Sequence, residues 1–431
     1  MSVFNVVSFV GIAVLLTIAW VLSGCKRPIN WRLAIFGVLL QCAIASVIFV
    51  FPPGARLFLM INELVVQVMD SAMAGAEFVF GRLALPPGRG ESLGFFLAFQ
   101  GLPTIIFFSA LMAILYYYGI MQTVIRLFAR LFTRLFRVSG AESLCAASNI
   151  FVGVESSLTI RPYLERMTQS ELTTILAAGM STVSSNILAV YVFSLNDQFP
   201  TIAAHLVSAS FLSAPAALVM SKLIVPETEI PETSGKDIPI FYEREETLFT
   251  AIINGANTGL RLIAGIVALL IAVLGLVALA NMVIGGIGSW ITATTGIALD
   301  WSIEGILGYL FYPFALIIGV PPADAFEIGR ILGSRTIVTE LAGYQELAGV
   351  MASGTLQYGR SAVLCAYALC GFAHVASIAI FIGGISAVAP KTTNTLSRVA
   401  FKALAAAVLA CLMTACIAGT FYSSGSILFG R

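Results

Sequence analysis

GAESLCAASNIFVGVESSLTI, residues 140–160, is long enough to span a bilayer, yet its chemistry argues against a simple crossing. Arg134 and Arg137 precede it, and Arg161 and Arg166 follow it. Basic residues in short flanks mark the side that a chain does not translocate, so both ends face one side. The middle carries Gly153 and Glu155. A carboxylate at the bilayer centre costs about 2.5–3.5 kcal/mol on insertion scales. A helix–turn–helix hairpin that enters halfway and returns meets both constraints, if its tip faces protein or a water-filled cavity.

A second stretch has the same character. ADAFEIGRILGSRTIVTELAGYQELAGV, residues 323–350, carries Glu327, Arg330, Arg335, Glu340 and Glu346, which no lipid-facing helix could hold. Its middle is Thr339-Glu340, flanked by Gly333 and Gly343. Counting crossings from the first hairpin makes this one enter from the opposite side. Two apolar runs follow each hairpin, which gives an inverted repeat of hairpin, span, span. Such repeats place a solute and ion site near the midplane.

The rest of the chain fits this frame. Of 431 residues, 59% are hydrophobic and 10% charged, against roughly 45–50% and 25% in soluble domains. Lys+Arg 23 nearly balances Asp+Glu 22, so no basic face exists for nucleic acid. A soluble enzyme is excluded, and a β-barrel too, because the apolar runs are long and continuous rather than alternating. No zinc-protease, nucleophile-elbow or phosphate-loop motif occurs. The seven cysteines lie mostly inside apolar runs without a CxxC pair and read as packing residues.

The fold expected is an all-α polytopic membrane protein. It has eight transmembrane helices (4–24, 33–51, 102–118, 172–195, 202–225, 262–284, 362–388 and 401–421), two re-entrant hairpins of opposite orientation, and interfacial helices. Residues 55–83, with Glu63, Asp70 and Glu77, and 120–138, with four arginines, read as interfacial. The 306–320 run either spans or lies flat, Pro313 weakening a straight span. Residues 4–24 read as a span rather than a cleaved leader, having no basic n-region. Lys26, Arg27 and Arg32 place the first loop inside, and with it both termini outside. The acidic segment 226–246 reads as a solvated loop. Two spans carry polar interruptions, Ser181-Thr182-Val183-Ser184-Ser185-Asn186 and Cys370-Gly371-Phe372-Ala373-His374 with Ser377 beyond. Unwound backbone there offers carbonyls to a cation and N–H groups to a polar solute.

Several segments are recognisable: LPTIIFFSALMAILYYYGIMQTVI (102–125), SNIFVG (148–153), RPYL (161–164), MTQSEL (167–172), LGSRTIVTELAGY (332–344) and YALCGFAHVASIAIFIGG (367–384). On these the chain resembles the concentrative nucleoside transporter family in its short bacterial form. The resemblance implies a homotrimer in the bacterial inner membrane that takes up nucleosides on a Na⁺ or H⁺ gradient, with no other cofactor. It implies scaffold segments at 1–139, 196–322 and 390–431, and a transport domain at 140–195 and 323–389. It carries the Na⁺ site onto Asn149, the Val152 carbonyl, Thr182 and the Val183 carbonyl. It carries solute contacts onto Gly153, Val154, Glu155, Ile187, Glu340, Phe372, His374 and Ser377.

Three positions depart from the family pattern. Gly153-Val154-Glu155 lacks the Gln usual at the first tip, Thr339 replaces an Asn before Glu340, and His374 replaces the Asn of GFAN. Each residue has two readings. Glu155 and Glu340 either pair with arginines (Arg335 for Glu340) or meet hydroxyl and N–H donors of an uncharged solute. His374 is a packed helix residue, a donor to the solute, or a proton carrier. Phe372 packs, or faces a base. Asn149 caps a helix, or binds the ion. The function expected is cation-coupled symport of a nucleoside or related polar solute with Na⁺. The alternatives are proton coupling and a membrane receptor that binds without transport.

Overall fold

The computed structural model describes residues 2–25, 29–86, 90–296 and 299–424. Lys26 and Arg27 lie outside the described residues, as does the side chain of Val154. The chain is helical throughout; among the described residues the one β feature is a bridge between Ser139 and Ser234.

Among the described residues eight helices are long and apolar enough to cross a membrane, but they are not quite the expected eight. Pro52–Ala84, read from its three acids as interfacial, is one of them. The 362–388 run is instead split into Gly359–Leu369 and Val375–Val388. The split follows from Cys370–His374, where Gly371 at φ +148° adopts a backbone that other residues avoid. The 172–195 run breaks likewise into Gln169–Ser181 and Ser185–Leu195. Thr182 is extended there, and Ser184 stands at the N-cap of the second half.

The two breaks meet. A Cβ at Gly371 would lie 2.7 Å from the Ser181 carbonyl carbon, so only glycine lets the backbones approach so closely. Cys411, on the final helix Thr393–Phe421, donates its thiol to the Cys370 carbonyl at 3.2 Å beneath them. The Phe381 ring packs against Gly179, tying Gln169–Ser181 to Val375–Val388. Thr393–Phe421 also packs on Val3–Leu22 and Ile202–Ile224, so it sits in the same bundle as the broken helices.

The stretches 140–166 and 322–352 each form a pair of packed arms. In the first, Gly140–Asn149 is α-helical and opens with a capping box between Ser139 and Glu142. Its second arm, Val154–Arg166, is a 3₁₀ helix rather than an α-helix, and contains Pro162. Proline removes an N–H donor and disfavours a continuous α-helix. In the second, Pro322–Ile337 and Glu340–Ala352 join through Val338 and Thr339. Thr339 caps the second arm by accepting from Ala342 N–H at 3.3 Å.

The acidic segment 226–246 is a strap across the base of the first pair rather than a free loop. Gly140 N–H donates to the Thr233 carbonyl at 2.9 Å and Phe241 N–H to that of Thr159 at 2.9 Å. Arg130–Asp237 (2.7 Å) and Arg166–Glu232 (2.9 Å) bind it from outside. Beneath it, Lys222 Nζ is buried 2.5 Å from Glu142 Oε1 and 3.0 Å from Glu227 Oε2.

Leu248–Thr295 stands apart. Its 48 residues extend about 72 Å at 1.5 Å per residue, well beyond a bilayer core of about 30 Å. It packs chiefly along Thr104–Tyr117, with Gly259 and Gly255 seated against that helix's backbone. Near its C-terminal end Gly288 seats Trp301 and Asn281 binds Glu304, and much of its remaining surface is apolar and exposed.

Candidate functional site

A cavity of about 460 Å³ opens where both turns, both breaks and the long helix converge. Gly153, Glu155, Ile187, Glu340, Phe372, His374 and Ser377 all line it. Of the expected solute contacts, Val154 alone is not placed, because its side chain is outside the described residues.

Glu340 is the first residue of its helix and is buried. Tyr191 Oη donates to Oε1 at 2.6 Å, and His374 Nε2 lies 3.1 Å from Oε2. His374 is the N-cap of Val375–Val388, where its Nδ1 accepts from Ser377 N–H at 3.2 Å. An accepting Nδ1 carries no proton, so the ring proton sits on Nε2, the nitrogen on the Glu340 side of the ring. The Ser377 hydroxyl donates to the Phe372 carbonyl, and the Phe372 ring approaches Gly153 at the first turn. Tyr191 stacks on Tyr344 at 4.6 Å. Tyr344 Oη and Arg335 then cap the broken helix, donating to the Ala366 and Ala368 carbonyls at 2.9 and 3.0 Å. Arg335 is therefore occupied with backbone, and the partners of Glu340 are Tyr191 and His374.

Glu155 differs. Its carboxylate faces the cavity with no hydrogen-bond or ion-pair partner among the described residues.

The residues expected to hold a cation flank the junction of the first turn with the first break. Ser185 N–H donates to the Phe151 carbonyl at 3.0 Å, which fastens turn to break. Asn149 is fully buried; its Nδ2 donates to the Cys145 carbonyl at 3.1 Å and its Oδ1 has no partner. Thr182 is also buried and donates to the Ala178 carbonyl at 2.9 Å, leaving its oxygen lone pairs free. A buried carbonyl oxygen without a donor is costly, and a hard cation is its natural complement. Among the described residues no cluster of His, Cys, Asp and Glu suits a transition metal.

Four polar contributors lie outside the expected solute contacts. Tyr191 is one turn beyond Ile187 on the same helix face, a spacing that would have found it. Asn186 and Ser184 lie in the polar interruption and line the cavity, Asn186 with a buried, unpartnered Oδ1. Arg261, with Leu262, Gly265, Ile266, Leu269 and Leu270, comes from the long helix. Nothing local in the sequence marks that stripe.

Broken helices, paired arms and a largely apolar cavity with two carboxylates in its wall define a multi-pass membrane transporter. Three family profiles match the chain: the N-terminus of Na⁺-dependent nucleoside transporters over residues 10–83, a nucleoside recognition gate over 98–198, and the transporter C-terminus over 205–419. An uncharacterized transporter of Haemophilus influenzae is 36% identical over 97% of this chain and 98% of its own length. The nucleoside permease NupC of Helicobacter pylori is 34% identical, covering 96% and 97%. The sodium/nucleoside cotransporter 1 of Sus scrofa is 32% identical over 97% of this chain, which spans 64% of that longer protein. The structure of CNTnw in an inward-facing substrate-bound state superposes with a TM-score of 0.86 at 34% identity, covering 97% of this chain and 98% of that one. The chain belongs to the concentrative nucleoside transporter family, whose members are transporters and not enzymes.

Proposed function

We propose that this protein is a Na⁺-coupled symporter for nucleosides. The observation that carries the reading is one cavity with two carboxylates of unlike status, Glu340 held by Tyr191 with His374 at ion-pair distance and Glu155 free, near a buried Asn149 oxygen without a donor. Two carboxylate acceptors suit the hydroxyl and N–H donors of an uncharged solute better than a phosphate.

In this mechanism Na⁺ is bound by Asn149 Oδ1, the Val152 and Val183 carbonyls and the Thr182 hydroxyl. It fixes the first turn against the break, so that Glu155 faces the cavity. The solute then lies between Gly153, Val154, Glu155, Ile187 and Asn186 on one side and Glu340, Phe372, His374 and Ser377 on the other. Glu340 accepts from ribose hydroxyls and Phe372 packs on the base. His374 acts through Glu340: protonating Nδ1 would break its cap on Ser377 N–H, so it positions a carboxylate rather than carrying a proton. The loaded body, with both arm pairs and both broken helices, moves against the Thr104–Tyr117 and Leu248–Thr295 pair. Coupling arises because ion and solute together favour the state that moves.

Both arm pairs are proposed to be re-entrant, entering from opposite sides as an inverted repeat. The protein is proposed to work as a homotrimer in a bacterial inner membrane, termini outside. The exposed apolar faces of the long helix are covered there by lipid or sister subunits.

Purified protein in liposomes tests this. Labelled uridine or inosine accumulates under an inward Na⁺ gradient at uniform pH. Accumulation driven by a pH gradient in Na⁺-free buffer would replace Na⁺ with H⁺ in the scheme. Binding without accumulation under either gradient would overturn transport.

A further inference from the structure

We propose that Arg261 reads the base, and that the site therefore favours 6-oxopurine nucleosides over adenosine. This rests on the nucleoside reading above and names a subclass within it.

The argument is an inventory of the cavity wall. Glu155, Glu340 and the unpartnered Asn186 Oδ1 are acceptors, and the Asn186 amide and the Ser184 hydroxyl are neutral donors. Tyr191 and both nitrogens of His374 are engaged with Glu340 or the backbone, and the Ser377 hydroxyl with Phe372. Arg261 is the charged donor that remains, with no hydrogen-bond or ion-pair partner among the described residues. It heads a stripe of otherwise apolar or glycine positions on the long helix, the wall that faces the turns and breaks. A solute that satisfies this wall presents hydroxyl and N–H donors to the acceptors and an acceptor edge to Arg261.

Guanidinium donates and cannot accept. Its fork matches adjacent acceptors, as in its pairing with O6 and N7 of guanine. Adenine offers N7 beside an amino group, which sets donor against donor for one arm of the fork. A bidentate pair discriminates by a factor on the order of 5 to 150. Because Arg261 belongs to the separate helix pair, it can read the base only while the cavity faces that helix.

The test is isothermal titration of the full-length protein in saturating NaCl with inosine and adenosine. Native protein should bind inosine over adenosine by about tenfold or more. Arg261→Ala should still bind both, with a ratio within about threefold. Arg261→Lys keeps the charge but not the fork, so the inosine preference should fall with it. An unchanged ratio in Arg261→Ala, or a native preference for adenosine, would overturn the proposal and leave the nucleoside reading standing. If no nucleoside binds native protein while it remains folded and monodisperse, both fall together.

Discussion

Replacing Glu340 by Gln separates the charge of this carboxylate from its place in the fold. Glu340 is buried between two donors, Tyr191 Oη at 2.6 Å and His374 Nε2 at 3.1 Å. A glutamine fits the same space. With its carbonyl turned to His374 and its amide toward Tyr191, it accepts from one ring and donates to the other, whose hydroxyl rotates to accept. The helix start, capped by Thr339, is untouched. The charge is what disappears. A hydrogen bond to a charged acceptor is worth about 1.5–3 kcal/mol and one to a neutral acceptor about 0.5–1.5. With two ribose hydroxyls on Glu340, the loss is about 2 kcal/mol, or roughly 30-fold in affinity. Titration of uridine or inosine gives this number directly, and uptake should fall below detection at micromolar solute. Circular dichroism and a monodisperse elution profile should match native protein. Affinity within about threefold of native would refute the assignment of Glu340 to the solute.

Three further outcomes follow from the same geometry. Thr182→Val removes one proposed oxygen ligand without changing shape, so the Na⁺ concentration for half-maximal uptake should rise on the order of tenfold, about 1.4 kcal/mol. Uptake should recover at high Na⁺, and an unchanged Na⁺ dependence would remove Thr182 from the ion site. His374→Ala loses a helix cap worth about 1 kcal/mol and a donor to a carboxylate worth about 1.5–3 kcal/mol. His374→Asn keeps a capping oxygen, so in thermal unfolding it should be the milder change; equal losses would refute the cap. Lys222→Met leaves Glu142 buried 2.5 Å from where its partner stood, with Glu227 nearby. Removing one partner of a buried pair costs about 3–5 kcal/mol. The midpoint of unfolding should drop and partly recover in Lys222→Met with Glu142→Gln.

Membership of the membrane class was legible from composition, since an apolar fraction of 59% leaves no soluble solution. The family was legible in segments such as CGFAHVASIAIFIGG, where small, aromatic and polar residues interrupt an apolar run at fixed spacing. The helix breaks could be read too, because local rules govern them: Ser184 and His374 stand at N-caps, and Gly371 supplies a conformation its neighbours cannot. Other features depended on contacts between distant segments. The acids of 55–83 suggested a surface helix for a different reason, since length and overall hydropathy, both present along the chain, make it a candidate span. The strap 226–246 looked like solvated linker, because its hydrogen bonds go to partners about 90 residues away.

The candidate site divides in the same way. Sequence identified the acidic turns and the polar breaks, because a charge in an apolar run is costly wherever the chain goes. It gave no means of choosing among the partners of Glu340. Arg335 is five residues away and was the natural guess, but the fold turns it to the Ala368 carbonyl and brings Tyr191 from 149 residues away. Nor could it place Arg261 on the cavity wall, since helical periodicity says which residues share a face and not what that face meets. Residue types and local conformation are set along the chain; which donor reaches which acceptor is set by packing between helices, and tertiary structure alone decided that.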